Sequence, residues 1–141
     1  IMTDADIIDG TELLLVRHGE TEWNTEGRIQ GSSDSPLTVK GIAQAKALAW
    51  RLCHAGSRPI SACYASPLGR AYRTAQILVE ACDKRKSITC EPGLVERSFG
   101  VLEGLSVEEK KAKYPDIIAA DDAGDDDYAP PGGGESRARV R

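Results

Sequence analysis

The chain has 141 residues, 40% of them hydrophobic, and a formal net charge of −4 from 22 acidic and 18 basic side chains. That length and apolar content suit one ordinary domain with its own core. The acidic balance gives no global basic field, so neither nucleic acid nor an anionic membrane is an expected partner, and any anion must be held by a local cluster.

Residues 1–11 read as an N-terminal extension. The opening IMTDADIIDG is acidic where a secretory signal needs basic residues, and no apolar run approaches membrane-spanning length, which predicts a soluble cytoplasmic protein. Cys53, Cys63, Cys82 and Cys90 form no C-x-x-C pair and fall among aliphatic residues. They read as buried thiols in a reducing compartment, not as a disulfide frame or a zinc site.

Residues 13–16, LLLV, are a continuous apolar run of strand length, which predicts a buried parallel strand. Arg17-His18-Gly19 follows at its end. Thr38 then caps a helix in GIAQAKALAWRLCHAG, where Ile42, Ala45, Leu48, Ala49 and Leu52 repeat at helical spacing and Gly56 stops it. ISACYA, residues 60–65, reads as a second strand. Ser66 and Pro67 supply a cap and a first-turn proline for a helix carrying Leu68, Ala71, Tyr72, Ala75, Leu78, Val79 and Cys82 on one side. SITCE, residues 87–91, is a third and weaker strand. Ser106 to Glu109 form a capping box for a short helix that stops before Pro115. The order is that of an α/β domain over residues 12–115, with a mostly parallel sheet flanked by helices. Residues 116–141 read differently: acidic, then rich in Pro and Gly, then basic, predicting a loop or a disordered segment.

Ligands of open α/β sheets bind beyond the carboxyl ends of the strands. Arg17-His18-Gly19, Ser66-Pro67 with Arg70, and Glu96 all fall at such ends. Arg70 stands in a first helical turn, where free N–H groups favour an anion, and Arg17 adds a second guanidinium. A histidine beside two arginines is held neutral, and a neutral ring nitrogen is a nucleophile for phosphorus. Glu96 would then protonate the departing alkoxide. Each residue alone has a blander reading, as a strand-end histidine, a solvated arginine or a loop glutamate; the combination points to phosphoryl transfer. A metal site through His18, Glu20 and Glu22 is weaker, because it offers one imidazole and no second cluster.

Three stretches, LLLVRHGETEWNTEGRIQGSSDSPLTVKGIAQA, SPLGRAYRTAQIL and GLVERSFGVLEG, carry a resemblance to the histidine phosphatase, or phosphoglycerate mutase-like, superfamily over roughly residues 12–136. The resemblance implies a phosphoglycerate mutase-like fold and small phosphorylated metabolites as substrates. His18 would be the phosphorylated nucleophile, Arg17 and Arg70 the phosphoryl holders and Glu96 the proton donor. Asn24 and Gln30 would lie near the phosphate, and Gly134-Glu135-Ser136 resembles a substrate-loop signature. No metal or cofactor is implied. GRIQGSSDSPLT is more similar to the broad phosphatase branch, and to proteins labelled probable phosphoglycerate mutase, than to the glycolytic mutases.

Family members also carry a second catalytic histidine, usually followed by glycine, on a later strand beside the first. No segment here resembles it. His54, the other histidine, closes the helix from residue 41, where a cation suits the dipole. The family's C-terminal part, about the last third of its domain, is therefore expected to be missing. Truncation of a longer enzyme is the most economical explanation; self-association or strand swapping, and a non-catalytic remnant, are the others. The functional expectation is a phosphomonoesterase acting through His18. The alternatives are a phosphoglycerate mutase and an inactive phospho-ligand-binding or interaction module.

Overall fold

The computed structural model describes residues 6–8, 11–54, 60–122 and 125–140. Gly56 lies outside these residues. The elements in chain order are β1 (Asp6–Ile8), β2 (Thr11–Leu13), α1 (Glu22–Thr25), α2 (Val39–His54), β3 (Tyr64–Ala65), α3 (Gly69–Cys82), β4 (Thr89–Cys90), α4 (Val107–Lys113) and α5 (Pro115–Asp122). Short 3₁₀ turns occupy Pro92–Leu94, Gly100–Leu102 and Ala138–Val140.

The parallel pairing expected of an α/β chain joins β3 to β4, with Tyr64 opposite Thr89 and Ala65 opposite Cys90. Thr89 N donates to Cys63 O at 3.0 Å and Glu91 N to Ala65 O at 2.8 Å, so the register extends past both ends. The LLLV run departs from its prediction. Leu13 pairs antiparallel with Asp6, and Leu14, Leu15 and Val16 lie outside any strand. Leu15 is 58% exposed and Leu13 48%. An unbroken apolar run signals what a strand could bury, but burial needs neighbours on both faces, and the described residues do not supply them.

The core lies between α2 and α3. Ala45 and Ala49 of α2 face Ala75, Ile77 and Leu78 of α3, all buried, and the small alanines let the helices approach closely. Thr38 caps α2 as its sequence predicts: its hydroxyl accepts from Gly41 N at 3.0 Å. α3 begins later than predicted, at Gly69 with Leu68 as N-cap; the Ser66 hydroxyl accepts from Leu68 N at 3.3 Å, holding a turn ahead of the helix. Cys53 and Cys82 end these two helices and form a disulfide across 5.3 Å between Cα atoms. Cys63 and Cys90 are free. The expectation of four thiols is corrected, and the argument from thiols to a reducing compartment falls with it. Linear spacing did not show that the last turns of two helices meet.

The α4 capping box is present as predicted, Ser106 Oγ accepting from Glu109 N at 3.2 Å and the Glu109 carboxylate from Ser106 N at 2.8 Å. The next segment is more ordered than its composition suggests. Pro115 opens α5, its fixed φ suiting a first helical position, and Asp116 stands in the first turn, where a carboxylate complements the dipole. Farther on, Pro130 is buried and the glycine-rich turn docks on residues 98–101: Val101 N donates to Pro131 O at 2.9 Å and Glu135 N to Ser98 O at 2.8 Å. Gly100 has φ +56°, and a Cβ there would strike the Pro131 carbonyl. Among the described residues, no helix is long and apolar enough to cross a membrane.

Candidate active site

The loop that carries His18 is fastened to both long helices. Glu20 N donates to Gln44 Oε1 at 2.9 Å, Thr38 N to Glu20 O at 2.9 Å, and the Glu20 carboxylate meets Lys40 Nζ at 2.8 Å. Gly19 and Gly41 pass backbone against backbone; a Cβ on either would run into a carbonyl of the opposing segment. Only glycines permit this approach.

His18 is partly buried, and its Nδ1 lies 2.8 Å from Gly19 O. A carbonyl only accepts, so in this contact Nδ1 carries the hydrogen, and in the neutral ring Nε2 is left with a bare lone pair. Burial pushes the His18 pKa below its ordinary value, and the guanidinium charges of Arg70 and Arg17 add to that; the Gly19 bond and the Glu96 charge oppose it. The sequence-predicted quartet of Arg17, His18, Arg70 and Glu96 is thus close enough for mutual electrostatic influence.

Arg70 is 2% exposed and spreads its guanidinium over four acceptors. Nη1 donates to Ser33 O at 2.5 Å and Asp34 Oδ1 at 3.3 Å, and Nη2 to Gly31 O at 2.7 Å and Glu96 Oε2 at 3.0 Å. This is no solvated first-turn arginine. The 31–34 turn that supplies the acceptors is itself held by Glu103, which accepts from Ser32 N, Ser32 Oγ, Ser33 N and Phe99 N, each at 2.9 Å, and also from Ser33 Oγ. Burial works against the Glu103 charge, but the donors from Ser33, Phe99 and Ser32 outweigh it and hold the carboxyl below the ordinary glutamate range.

The remaining predicted residues have defined places. Arg17 is exposed beside His18. Asn24 completes a capping box on α1, its Oδ1 accepting from Thr21 N at 3.1 Å. Gln30 is buried, and its Oε1 accepts from Thr21 Oγ1 at 2.9 Å and Ser35 Oγ at 3.3 Å. Glu135 accepts from Ser98 N at 3.0 Å, two residues past Glu96, and the Ser136 hydroxyl accepts from Arg139 N at 3.2 Å. His54 ends α2, its ring stacked on Trp50 at 5.3 Å and its Nδ1 3.0 Å from Trp50 O. Of the weaker metal set, Glu20 is taken up by Thr38 and Lys40, and Glu22 lies in the first turn of α1. Among the described residues, no group of three or more His, Cys, Asp or Glu is placed to hold a metal.

Asp34, Glu103 and Thr74 escaped the sequence reading. Thr74 alone had a usable signal, since it stands four residues after Arg70 and so shares its helix face.

His18, the buried Arg70 near the start of α3 and Glu96 lie near one another, and the chain belongs to the histidine phosphatase superfamily (branch 1), whose family model matches residues 13–141. It is 40% identical over 133 residues to phosphoglycerate mutase-like protein 4 of Arabidopsis thaliana, covering 94% of this chain and 56% of that protein. To the metal-independent phosphoserine phosphatase of the same plant it is 44% identical over 126 residues, covering 89% of this chain and 52% of the relative. The solved structure of mycobacterial glucosyl-3-phosphoglycerate phosphatase in complex with VO3 matches with TM-score 0.73 and 33% identity, over 87% of this chain and 56% of that one. The fold is therefore histidine phosphatase-like, and the chain spans about half the length of the curated relatives it matches.

Proposed function

We propose that the protein transfers phosphoryl groups from small phosphomonoesters through a phosphohistidine on His18. The observation that carries this is the bond from His18 Nδ1–H to Gly19 O, which leaves Nε2 bare in a neutral ring, the form that burial, with the charges of Arg70 and Arg17, favours. Nε2 attacks phosphorus, the bond from phosphorus to the ester oxygen breaks, and Glu96 gives that oxygen a proton. Water then attacks the phosphohistidine, giving a proton to the Glu96 carboxylate as the bond from phosphorus to Nε2 breaks, which returns inorganic phosphate, a neutral ring and a protonated Glu96. Arg17 and Arg70 spread the charge of the transferring group. Asn24 and Gln30, whose side-chain carbonyls are taken by Thr21 and Ser35, would offer amide N–H groups to phosphoryl oxygens, and Glu135 and Ser136 would border the leaving group. The attacking nitrogen is bare already, so this chemistry calls for no metal or cofactor.

Relatives named as phosphatases for phosphoserine and for a glucosyl-phosphoglycerate support hydrolysis, and a relative named phosphoglycerate mutase-like supports a mutase as the second reading. The test is trapping of acid-labile phosphate from a labelled aryl phosphate in a form of the chain that turns over. His18→Ala should abolish the label; undiminished labelling of that variant would overturn the assignment.

A further inference from the structure

Thr74 is 3% exposed, and its hydroxyl joins two parts of the site that are far apart in sequence. It donates to Arg70 O at 2.8 Å and accepts from Gly19 N at 3.2 Å. The first bond is common helical behaviour for a threonine and would mean little alone. The second holds the His18–Gly19 peptide unit, the neighbour of the Gly19–Glu20 unit whose carbonyl oxygen is the acceptor for His18 Nδ1. We propose that Thr74 is a positioning residue for His18: its hydroxyl pins the His18–Gly19 peptide, the pinned backbone keeps the ring's Nδ1–H on the Gly19 carbonyl, and Nε2 stays the bare nitrogen. This rests on the reading of His18 as nucleophile.

Two features make the hydroxyl hard to replace. Gly19 is itself buried, so loss of the acceptor leaves its N–H unpaired in a place that water does not reach. The Gly19 and Gly41 backbones are also in contact, so the freed loop cannot settle inward toward α2 and relaxes by rotating the His18–Gly19 peptide. That rotation carries the ring away from the Gly19 carbonyl, whose own peptide unit stays held by Glu20 N on Gln44, and lets the proton move to Nε2, the tautomer in which Nε2 cannot attack phosphorus. The same hydroxyl ties the loop to the backbone of Arg70, so it also sets the spacing between the attacking ring and the anion-holding guanidinium.

The tautomer is a ground-state property and is read without turnover. In an isotope-labelled chain at neutral pH, long-range proton–nitrogen spectra, with His18 assigned by comparison with His54→Gln, should show the Nδ1–H form. Thr74→Val, which keeps the shape but loses the acceptor, should shift the two ring nitrogens of His18 toward an averaged position, and Thr74→Ser should restore the wild-type pattern. An unchanged His18 pattern in folded Thr74→Val overturns the proposal. Should the valine variant not fold, hydrogen exchange on the unmodified chain decides: the Gly19 amide should be protected, and exchange at the rate of a free amide would show that the bond is absent. Loss of phosphohistidine chemistry with these results intact would count against the nucleophile reading and leave the Thr74 linkage standing.

Discussion

Arg70 Nη2 donates to Glu96 Oε2 at 3.0 Å, while the rest of the same guanidinium is shared among Gly31 O, Ser33 O and Asp34 Oδ1. The cation is buried and Glu96 half-exposed, so the arginine serves two ends at once, anchoring an interior turn and presenting one edge to the site.

Arg70→Lys should therefore fail despite keeping the charge, because an ammonium cannot divide itself over four acceptors in a plane. Taking away one partner of a buried charged network costs about 3–5 kcal/mol, and the lysine should lose a good part of that. Chemical denaturation checks the stability, and vanadate binding should weaken in parallel. A lysine variant as stable and as tight for vanadate as the parent would show that the fork is dispensable.

Glu96→Gln should separate leaving groups. A proton donor contributes about 10²–10⁴-fold where the leaving oxygen is strongly basic, and far less where it is not. Turnover of an alkyl phosphate should drop over that range while a nitrophenyl ester is barely slowed. Equal losses on both would reassign Glu96 to holding Arg70.

His18 gives a pH dependence of defined sign. Burial, with Arg70 and Arg17, holds its pKa below the ordinary 6.5, so the folded chain takes up this proton at lower pH than the unfolded chain does. The stability from the neutral ring is complete above the unfolded value and is lost as pH falls from there through the folded value. His18→Gln should flatten that decline in a series of melting curves, and the acid limb of phosphoenzyme formation should lie below pH 6.5. An acid limb above that value would contradict the electrostatics of the site.

The Cys53–Cys82 bridge closes a loop with a sequence separation of 29, for which chain entropy gives about 3–4 kcal/mol. Under non-reducing denaturation, alkylation should modify two cysteines, Cys63 and Cys90, and reduction should expose four while lowering the melting temperature. Four alkylated cysteines without reductant would mean that the bridge does not form.

Much of the helical framework was legible because its signals are local. Thr38 before α2 and the Ser106 to Glu109 box each complete their bonds within a few residues, so sequence spacing determines them. His18, Arg70 and Glu96 were singled out by motif and by expected strand ends; Arg70 and Glu96 do follow β3 and β4, whereas no described strand runs into His18. What stayed hidden depends on where distant segments meet. The LLLV run was right about composition and silent about the neighbours it needs; Cys53 and Cys82 became partners only once α2 and α3 packed; α5 lay behind a proline that starts a helix as readily as it ends one. Glu103 looked like any loop glutamate, because the serines it gathers are about seventy residues away.

That separation has a kinetic meaning. Arg70 reaches back 39 residues to Gly31, Gly19 reaches forward 55 to Thr74, and Glu103 reaches back 71 to Ser32, whereas the helices on which these side chains ride form through bonds four residues long. Closing loops of that size costs chain entropy that the helices do not incur, so the helices form early and the cradle closes late. Opening should run in reverse. The turn at residues 31–34 and the His18 loop can part from α3 while α2 and α3 remain paired, so the loss of a competent site precedes the loss of the fold.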